Sequence, residues 1–243
     1  MKQLLNLTLV SAVLAPWSLA QAITLNDDFS LAVEAAALSD YRSRGISQTQ
    51  GDPALQGSVT LLHSSGAYAG VWSSNVDFGY GSNTRQELDY FAGYYWQIND
   101  DIALDVGYFD YTYPRQNGLN YSEYYAELSA YGARVGSYYS DDLGGDQSML
   151  YSYVGYGFAL PFDVAFDLRY GQADYKDPLW ISASGHSRDS YDEWEAKLSK
   201  EMFSLNWSLS YVDTDLSEVE CANYMGFDDV CSATVVVGVS TSF

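Results

Sequence analysis

The last eleven residues, Ala233-Thr-Val-Val-Val-Gly-Val-Ser-Thr-Ser-Phe243, alternate in character and stop on an aromatic carboxy terminus. Val235, Val237, Val239, Thr241 and Phe243 fall on one face, and Gly238, Ser240 and Ser242 on the other. That is the apolar-out, small-or-polar-in period of a strand that meets lipid. The opposite end of the chain agrees. Residues 1–22 carry Lys2, an apolar run from Leu4 to Leu14, Pro16 as a breaker and Ala20-Gln21-Ala22 as a small-x-small cleavage site, so they read as a secretory signal peptide. Export followed by a lipid-facing terminal strand implies an all-β fold: a transmembrane antiparallel up-and-down β-barrel over 23–243, located in a bacterial outer membrane.

Composition narrows the alternatives. Past the leader, no stretch approaches the roughly 18 apolar residues of a membrane helix, yet the chain is 47% hydrophobic with 23 Tyr, 10 Phe and 6 Trp. Membrane residence must therefore come through strands. Tyr and Trp are the residues that gather as girdles at both membrane–water interfaces. Removing Lys2 with the leader leaves 10 basic against 32 acidic residues, which excludes nucleic acid as a natural partner. Such a rich aromatic content also excludes disorder, so the charge belongs to loops and to one strand face.

Period-two alternation with turn punctuation gives twelve strands, near 29–40, 54–62, 67–76, 85–98, 102–112, 120–131, 133–140, 148–160, 163–174, 190–200, 204–213 and 233–243. Connections after the odd strands are long and polar, and those after the even strands are tight. An even count with both termini at the short-turn end is the connectivity of outer-membrane barrels. The third and seventh strands are two-faced, because Tyr68, Gly70 and Trp72 oppose Ala69 and Val71, and they leave the count open between ten and fourteen.

Charges inside the strands must avoid hydrocarbon, so the alternation assigns them to the lumen. Extending the first strand's inward phase places Glu34, Asp40, Arg42 and Arg44 there. The other strands add Glu87, Asp89, Asp105, Glu123, Glu127, Arg134, Asp167, Arg169, Glu193, Glu195 and Lys197. Two outcomes compete. Water fills the lumen and these residues line a pore for small hydrophilic solutes or ions, or they pair across a narrow barrel and close it into a structural or adhesive cylinder that acts through its acidic external loops.

Cys221 and Cys231, with nine residues between them, lie in an exported chain and are expected to form a disulfide, worth roughly 2–3 kcal/mol for so short a loop. Two cysteines without a nearby histidine do not make a metal site, and no cofactor is implied. His63 and His186 fall in connections, and neither resembles the base of an activated nucleophile, so the chain does not read as an enzyme. The acid-rich outer loops, including Asp141, Asp142, Asp146, Asp228 and Asp229, suit divalent cations that bridge to the phosphates of outer-membrane lipid and lipopolysaccharide, though their spacing matches no calcium loop.

The segment Asp40-Tyr-Arg-Ser-Arg-Gly-Ile-Ser-Gln-Thr49, with Pro53-Ala-Leu-Gln-Gly57, Gly66-Ala-Tyr-Ala-Gly-Val-Trp-Ser-Ser-Asn-Val76 and Glu87-Leu-Asp-Tyr90, resembles the TorF family of porins, also called Gcw_chp. The resemblance is densest over residues 38–95, and the second half shares mainly the strand rhythm. It implies an outer-membrane barrel with passive transport and brings no binding residues to carry over; whether the barrel is a monomer or a trimer is left open. The carboxy terminus also resembles the signal read by the barrel-assembly machinery, which Gly238 and Phe243 fit while Val236 and Thr241 depart from it. With Glu87 and Asp89 facing inward beside Arg42 and Arg44, the resemblance takes a physical form: a fixed charge cluster near the outer mouth.

Overall fold

A computed structural model describes residues 22–79 and 81–243; the leader, apart from Ala22, lies outside the described residues. The chain is a closed barrel of twelve antiparallel strands: β1 Phe29–Leu38, β2 Ala54–His63, β3 Ala67–Asn75, β4 Gln86–Gln97, β5 Ile102–Thr112, β6 Tyr121–Ala130, β7 Ala133–Leu143, β8 Gln147–Leu160, β9 Val164–Tyr175, β10 Ser190–Met202, β11 Leu205–Thr214 and β12 Thr234–Ser242. Each strand pairs with its sequence neighbour, and β12 closes on β1 with Gly238 opposite Leu38 and Ser242 opposite Glu34. Phe243 extends the seam by exchanging two backbone hydrogen bonds with Val33, at 2.9 and 3.1 Å. The count of twelve settles the doubt over the third and seventh strands. No described helix is long and apolar enough to cross a membrane; the strands cross it instead.

Three of the tight turns place two consecutive residues at positive φ: Tyr131 and Gly132, Phe162 and Asp163, Phe203 and Ser204. Positive φ at both central residues is the two-residue hairpin geometry that matches strand twist. At the other end, the expected long connection 141–147 shrinks to three residues, because β7 runs on through a bulge between Ser140 and Leu143. The remaining long connections carry structure that alternation could not show. Residues 42–43 pair with 46–47, residues 180–181 pair with 187–188, and Glu218–Met225 forms helix α1.

Burial divides the wall as the alternation requires. Leu55, Val154, Val235 and Val237 are between 50% and 71% exposed on the outer face, while Thr60, Glu123, Glu193 and Ala173 are at most 1% exposed on the inner one. An apolar surface of this extent on a water-soluble protein would drive association, whereas hydrocarbon solvates it. In β3 the inward set is Tyr68, Gly70, Trp72 and Ser74, and Val71 meets lipid. The tyrosines split between two sites rather than forming girdles alone. Tyr90, Tyr94, Tyr124, Tyr139 and Tyr170 face outward, and Tyr68, Tyr125, Tyr138, Tyr151 and Tyr153 are buried within.

Inner rings lie over glycines of neighbouring strands. A Cβ on Gly136 would stand 2.6 Å from the Tyr153 ring, and one on Gly107 would stand 2.6 Å from the Tyr125 ring. The missing side chain is therefore a slot that lets a large ring lie flat on the wall.

The last long connection forms an outer lid. Ser217 caps α1 reciprocally with Glu220, whose carboxylate accepts the Ser217 N–H at 2.9 Å, and Gly226 at φ 83° ends the helix. Arg188, from the neighbouring hairpin, donates to both Glu220 oxygens at 2.8 and 3.2 Å and to Asp215 at 2.6 Å. Cys221 and Cys231 form the disulfide that ties this segment, both almost fully buried. Trp180, 0% exposed, packs against Tyr175, Tyr191 and Tyr224 beneath it.

Two outcomes follow. Val154→Arg, on the outer face of β8, should cost about 2–4 kcal/mol of folding free energy into lipid vesicles, measured by denaturant titration. The Glu220 carboxylate is held below its ordinary range: burial alone would raise it, but the Ser217 hydroxyl and amide and the Arg188 guanidinium outweigh that. A carboxylate depressed on folding stabilises above its unfolded pKa and ceases to do so as pH falls through its folded one. Protease nicking of residues 176–189 should accordingly be slow at neutral pH and accelerate only below the ordinary glutamate range, and Glu220→Gln should nick fast at neutral pH.

Candidate lumen and its plug

The connection between β1 and β2 does not stay outside the barrel. Residues 40–50 fold inward, and the hairpin 42–47 crosses from the β1 wall to β6–β8 on the far side. Arg44 and Gly45 adopt positive φ, 49° and 84°, which reverses the chain inside the lumen. Glycine is required at the second position. A Cβ there would collide with Thr214 and lie 3.1 Å from Glu193.

The reversal delivers Arg44 to a site built by the opposite wall. Its guanidinium reaches both oxygens of Glu123 at 2.7 Å, and Tyr111 donates to the same carboxylate at 2.9 Å. The guanidinium carbon also lies 4.8 and 5.5 Å from the ring centroids of Tyr151 and Tyr138. Tyr191, on β10, donates to the Arg44 carbonyl at 3.0 Å. Charge, fork geometry and ring faces thus all match one cation, the combination for which arginine is suited.

Arg42 anchors the other side of the hairpin. It pairs with Asp40 at 2.6 Å and donates to the carbonyls of Gly45, Val230 and Ser232 at 2.9, 3.0 and 2.9 Å. Asp40 in turn accepts from Ser47 at 2.6 Å and Thr49 at 3.0 Å. Both arginines therefore lie inside the barrel, but on a re-entrant loop rather than on an extension of the first strand. Period two cannot anticipate this, because the strand ends at Leu38 and the chain turns.

The wall residues point inward from β4 to β10 and sort into two groups. On β7 to β10, Arg134 pairs with Asp167 at 2.6 Å, and Arg169 bridges Glu193 at 3.0 Å and Glu195 at 3.2 Å. On β4 to β6, apart from Glu123 with Arg44, hydroxyls take the place of cations at Glu87, Asp105 and Glu127. Asp105 accepts from Tyr68 at 2.6 Å and Tyr125 at 3.2 Å, Glu127 accepts from Tyr153, and Glu87 accepts from Tyr113 at 3.1 Å. Glu87 and Asp89 form no ion pair with Arg42 or Arg44 among the described residues, so the expected cluster at the mouth is divided. The reason is reach: Arg44 passes the β4 wall and finds Glu123 instead.

Lys197 is buried and lines a small cavity of about 30 Å³ with Asp40, Arg42, Arg169, Glu195, Ser208 and Ser210. Glu34, further down β1, also faces inward yet is exposed, so the wall there is open to water. What the alternation missed is the aromatic fill around these charges, above all Tyr111, Tyr138 and Tyr151. Their signal was present as inward glycines one strand away from inward tyrosines. His63 sits in a short turn, where its Nδ1 lies 2.8 Å from the Ser65 hydroxyl, and His186 is exposed on an outer hairpin.

Barrels of this architecture are known. The fold is similar to the NanC porin, with a TM-score of 0.52 at 15% identity over 87% of this chain and 98% of that one. It is also similar to the KdgM porin, with a TM-score of 0.50 at 10% identity over 87% of this chain and 99% of that one. No curated protein matches the sequence. The outward apolar belt and this shared fold place the barrel in the outer membrane. Residues 23–243 match the family model described as bacterial protein of unknown function (Gcw_chp), and the chain belongs to that family.

Proposed function

We propose that this protein is a porin-like channel of the TorF kind, exported by the leader 1–22 and inserted into the outer membrane by the barrel-assembly machinery, through which small hydrophilic solutes or ions diffuse. One observation carries the reading. The cation that spans the lumen toward its outer end, Arg44, arrives on a loop and not on the wall. A cylinder built only to be closed can fill itself from its own strands, as eight-stranded barrels do. Here the wall supplies a carboxylate, Glu123, and a removable segment supplies its partner. That arrangement sets the width of a passage by the position of a loop.

The interior charge bears on the solute. Carboxylates outnumber cations inside, and Glu34, Asp105 and Glu127 make no ion pair within 4 Å among the described residues. An acid-lined, low-dielectric passage favours cations and small neutral or zwitterionic solutes over polyanions. KdgM is described in complex with disordered oligogalacturonate, an acidic sugar chain. The acid excess in this lumen points away from such a solute. Against the channel stands the tyrosine fill, which favours the closed cylinder acting through its acidic loops at the lipopolysaccharide surface.

Planar-bilayer recording of the purified protein separates the two. Replacing Arg44→Ala together with Glu123→Gln removes the plug's anchor without leaving a buried unpaired charge. The pair of substitutions should raise single-channel conductance several-fold above the native level, with reversal potentials in a salt gradient favouring cations. Silence from both proteins after verified insertion would establish the closed cylinder.

A further inference from the structure

The inner wall is not lined alike all the way round. From β3 to β8 a run of rings passes from strand to strand, Tyr68 to Phe91, Phe109, Tyr125, Tyr138 and Tyr153, with each ring in contact with the next and each residue at most 9% exposed. From β11 across the seam to β2 the inward positions are small. Ser208 stands opposite Gly238, Ser240 opposite Ala36, and Ser58 opposite Glu34. A serine or an alanine is too short to meet the rings across a barrel of twelve strands, which is wider than the eight that side chains fill.

Exposure follows the same division. Ala36, Ser58, Ser208 and Ser240 are only half-buried and Glu34 is exposed, although all five point into the barrel. Solvent therefore reaches that half of the lumen. On the ring side even Ala103, at the periplasmic end of β5, is 4% exposed, so that half is shut down to its lower end. Going outward, the open half stops at Ser210 and Lys197, which are 5% and 3% exposed. There the plug residues Asp40 and Arg42 meet the wall around the cavity of about 30 Å³, roughly the room that one water needs. The charges at this level offset one another: Arg42 pairs with Asp40, Arg169 with Glu195, and Lys197 stands directly across from Asp167.

We propose that the lumen is divided lengthwise: the β3–β8 half is packed, and the β11–β2 half is a water-filled vestibule, open at the periplasmic end, that stops at an eyelet between Asp40 and Arg42 of the plug and Lys197 and Ser210 of the wall. Solutes pass beside the plug while it is in place, and the eyelet is the narrowest point they meet. Because its charges cancel, it sieves by size, while Glu34 gives the vestibule its preference for cations. Passage through the eyelet rests on the channel reading; the vestibule does not, because water access can be read on a barrel that never conducts.

The test places single thiols in the folded full barrel and treats them with a positively charged methanethiosulfonate. The two native cysteines are joined to each other and do not compete. Mass spectrometry should show Ser208→Cys and Ser240→Cys modified about tenfold or more faster than Ala103→Cys, which reacts only through local opening. In planar bilayers Ser210→Trp should remove the native conductance, and modification of Ser208→Cys after insertion should lower it by about half or more. Equal rates at the three thiols, or fastest reaction at Ala103→Cys, would overturn the divided lumen. Conductance unmoved by both Ser210→Trp and modified Ser208→Cys would overturn the eyelet. A barrel that labels in the expected order yet never conducts would uphold the vestibule and sink the channel reading. Heat-modifiable mobility in gels checks folding, and because labelling follows insertion, the Ser208→Cys result decides even where Ser210→Trp does not fold.

Discussion

Backbone amides inside hydrocarbon have no water to bond, so every N–H and C=O of a spanning segment must find a partner within the protein. In this chain that demand is met by a ring in which the last strand pairs with the first, down to the two bonds between Phe243 and Val33. Closure leaves no edge, and with no edge each residue has only two directions to point. Everything else follows from that sorting. Val235 and Val237 must go out, so Val236 and Gly238 must go in, and Gly238 leaves room for Leu38 and Ser208 across the seam.

The inner face then faces a different problem, because it carries more acid than base in a confined space. Two solutions coexist. On β7 to β10 guanidinium groups neutralise carboxylates in pairs, with Arg169 shared between Glu193 and Glu195. On β4 to β6 phenolic hydroxyls donate instead, as Tyr68 and Tyr125 do to Asp105. A tyrosine satisfies an oxygen without adding charge, and its ring fills volume that water would otherwise occupy. The rings in turn need space on the wall, which Gly107 and Gly136 provide by having no side chain. Aromatic content that reads as an interface signal is therefore partly an interior packing device.

Strand number and the direction of each wall charge were legible because they depend on a period of two, which a single sequence displays, whereas the ends of the first and seventh strands shifted by two and three residues. Glu87, Asp89, Glu123 and Glu193 needed only their parity to be placed. The disulfide was legible because its two cysteines are the only ones. Arg42 and Arg44 were placed inside for a reason the structure replaces: parity happened to agree, but the chain had left the strand at Leu38 and entered by a loop. A re-entrant loop leaves no periodic trace. Its traces here are the Arg44-Gly45 reversal and the Asp40, Ser47, Thr49 hydrogen-bond set, and neither is interpretable until the opposite wall is known.

The position of that loop is fixed at both of its ends by different parts of the molecule. Arg44 holds it to the wall through Glu123, while Arg42 and the Ser47 amide hold it to the carbonyls of Val230 and Ser232, which flank Cys231. The segment bearing Cys231 is itself tied to α1 by the disulfide, and α1 is tied to the 180–188 hairpin by Arg188. Plug and outer lid are thus joined by a continuous set of polar contacts rather than being two separate obstructions. Moving the plug alone would strip Arg42 of two backbone acceptors, Val230 and Ser232, and Glu123 of its cation. Moving plug and lid together keeps the Arg42 contacts intact at the expense of the Arg44 site, the Thr214–Cys231 bond and the Gln48–Asp77 bond, so the Arg42 contacts favour a concerted route out of the closed arrangement.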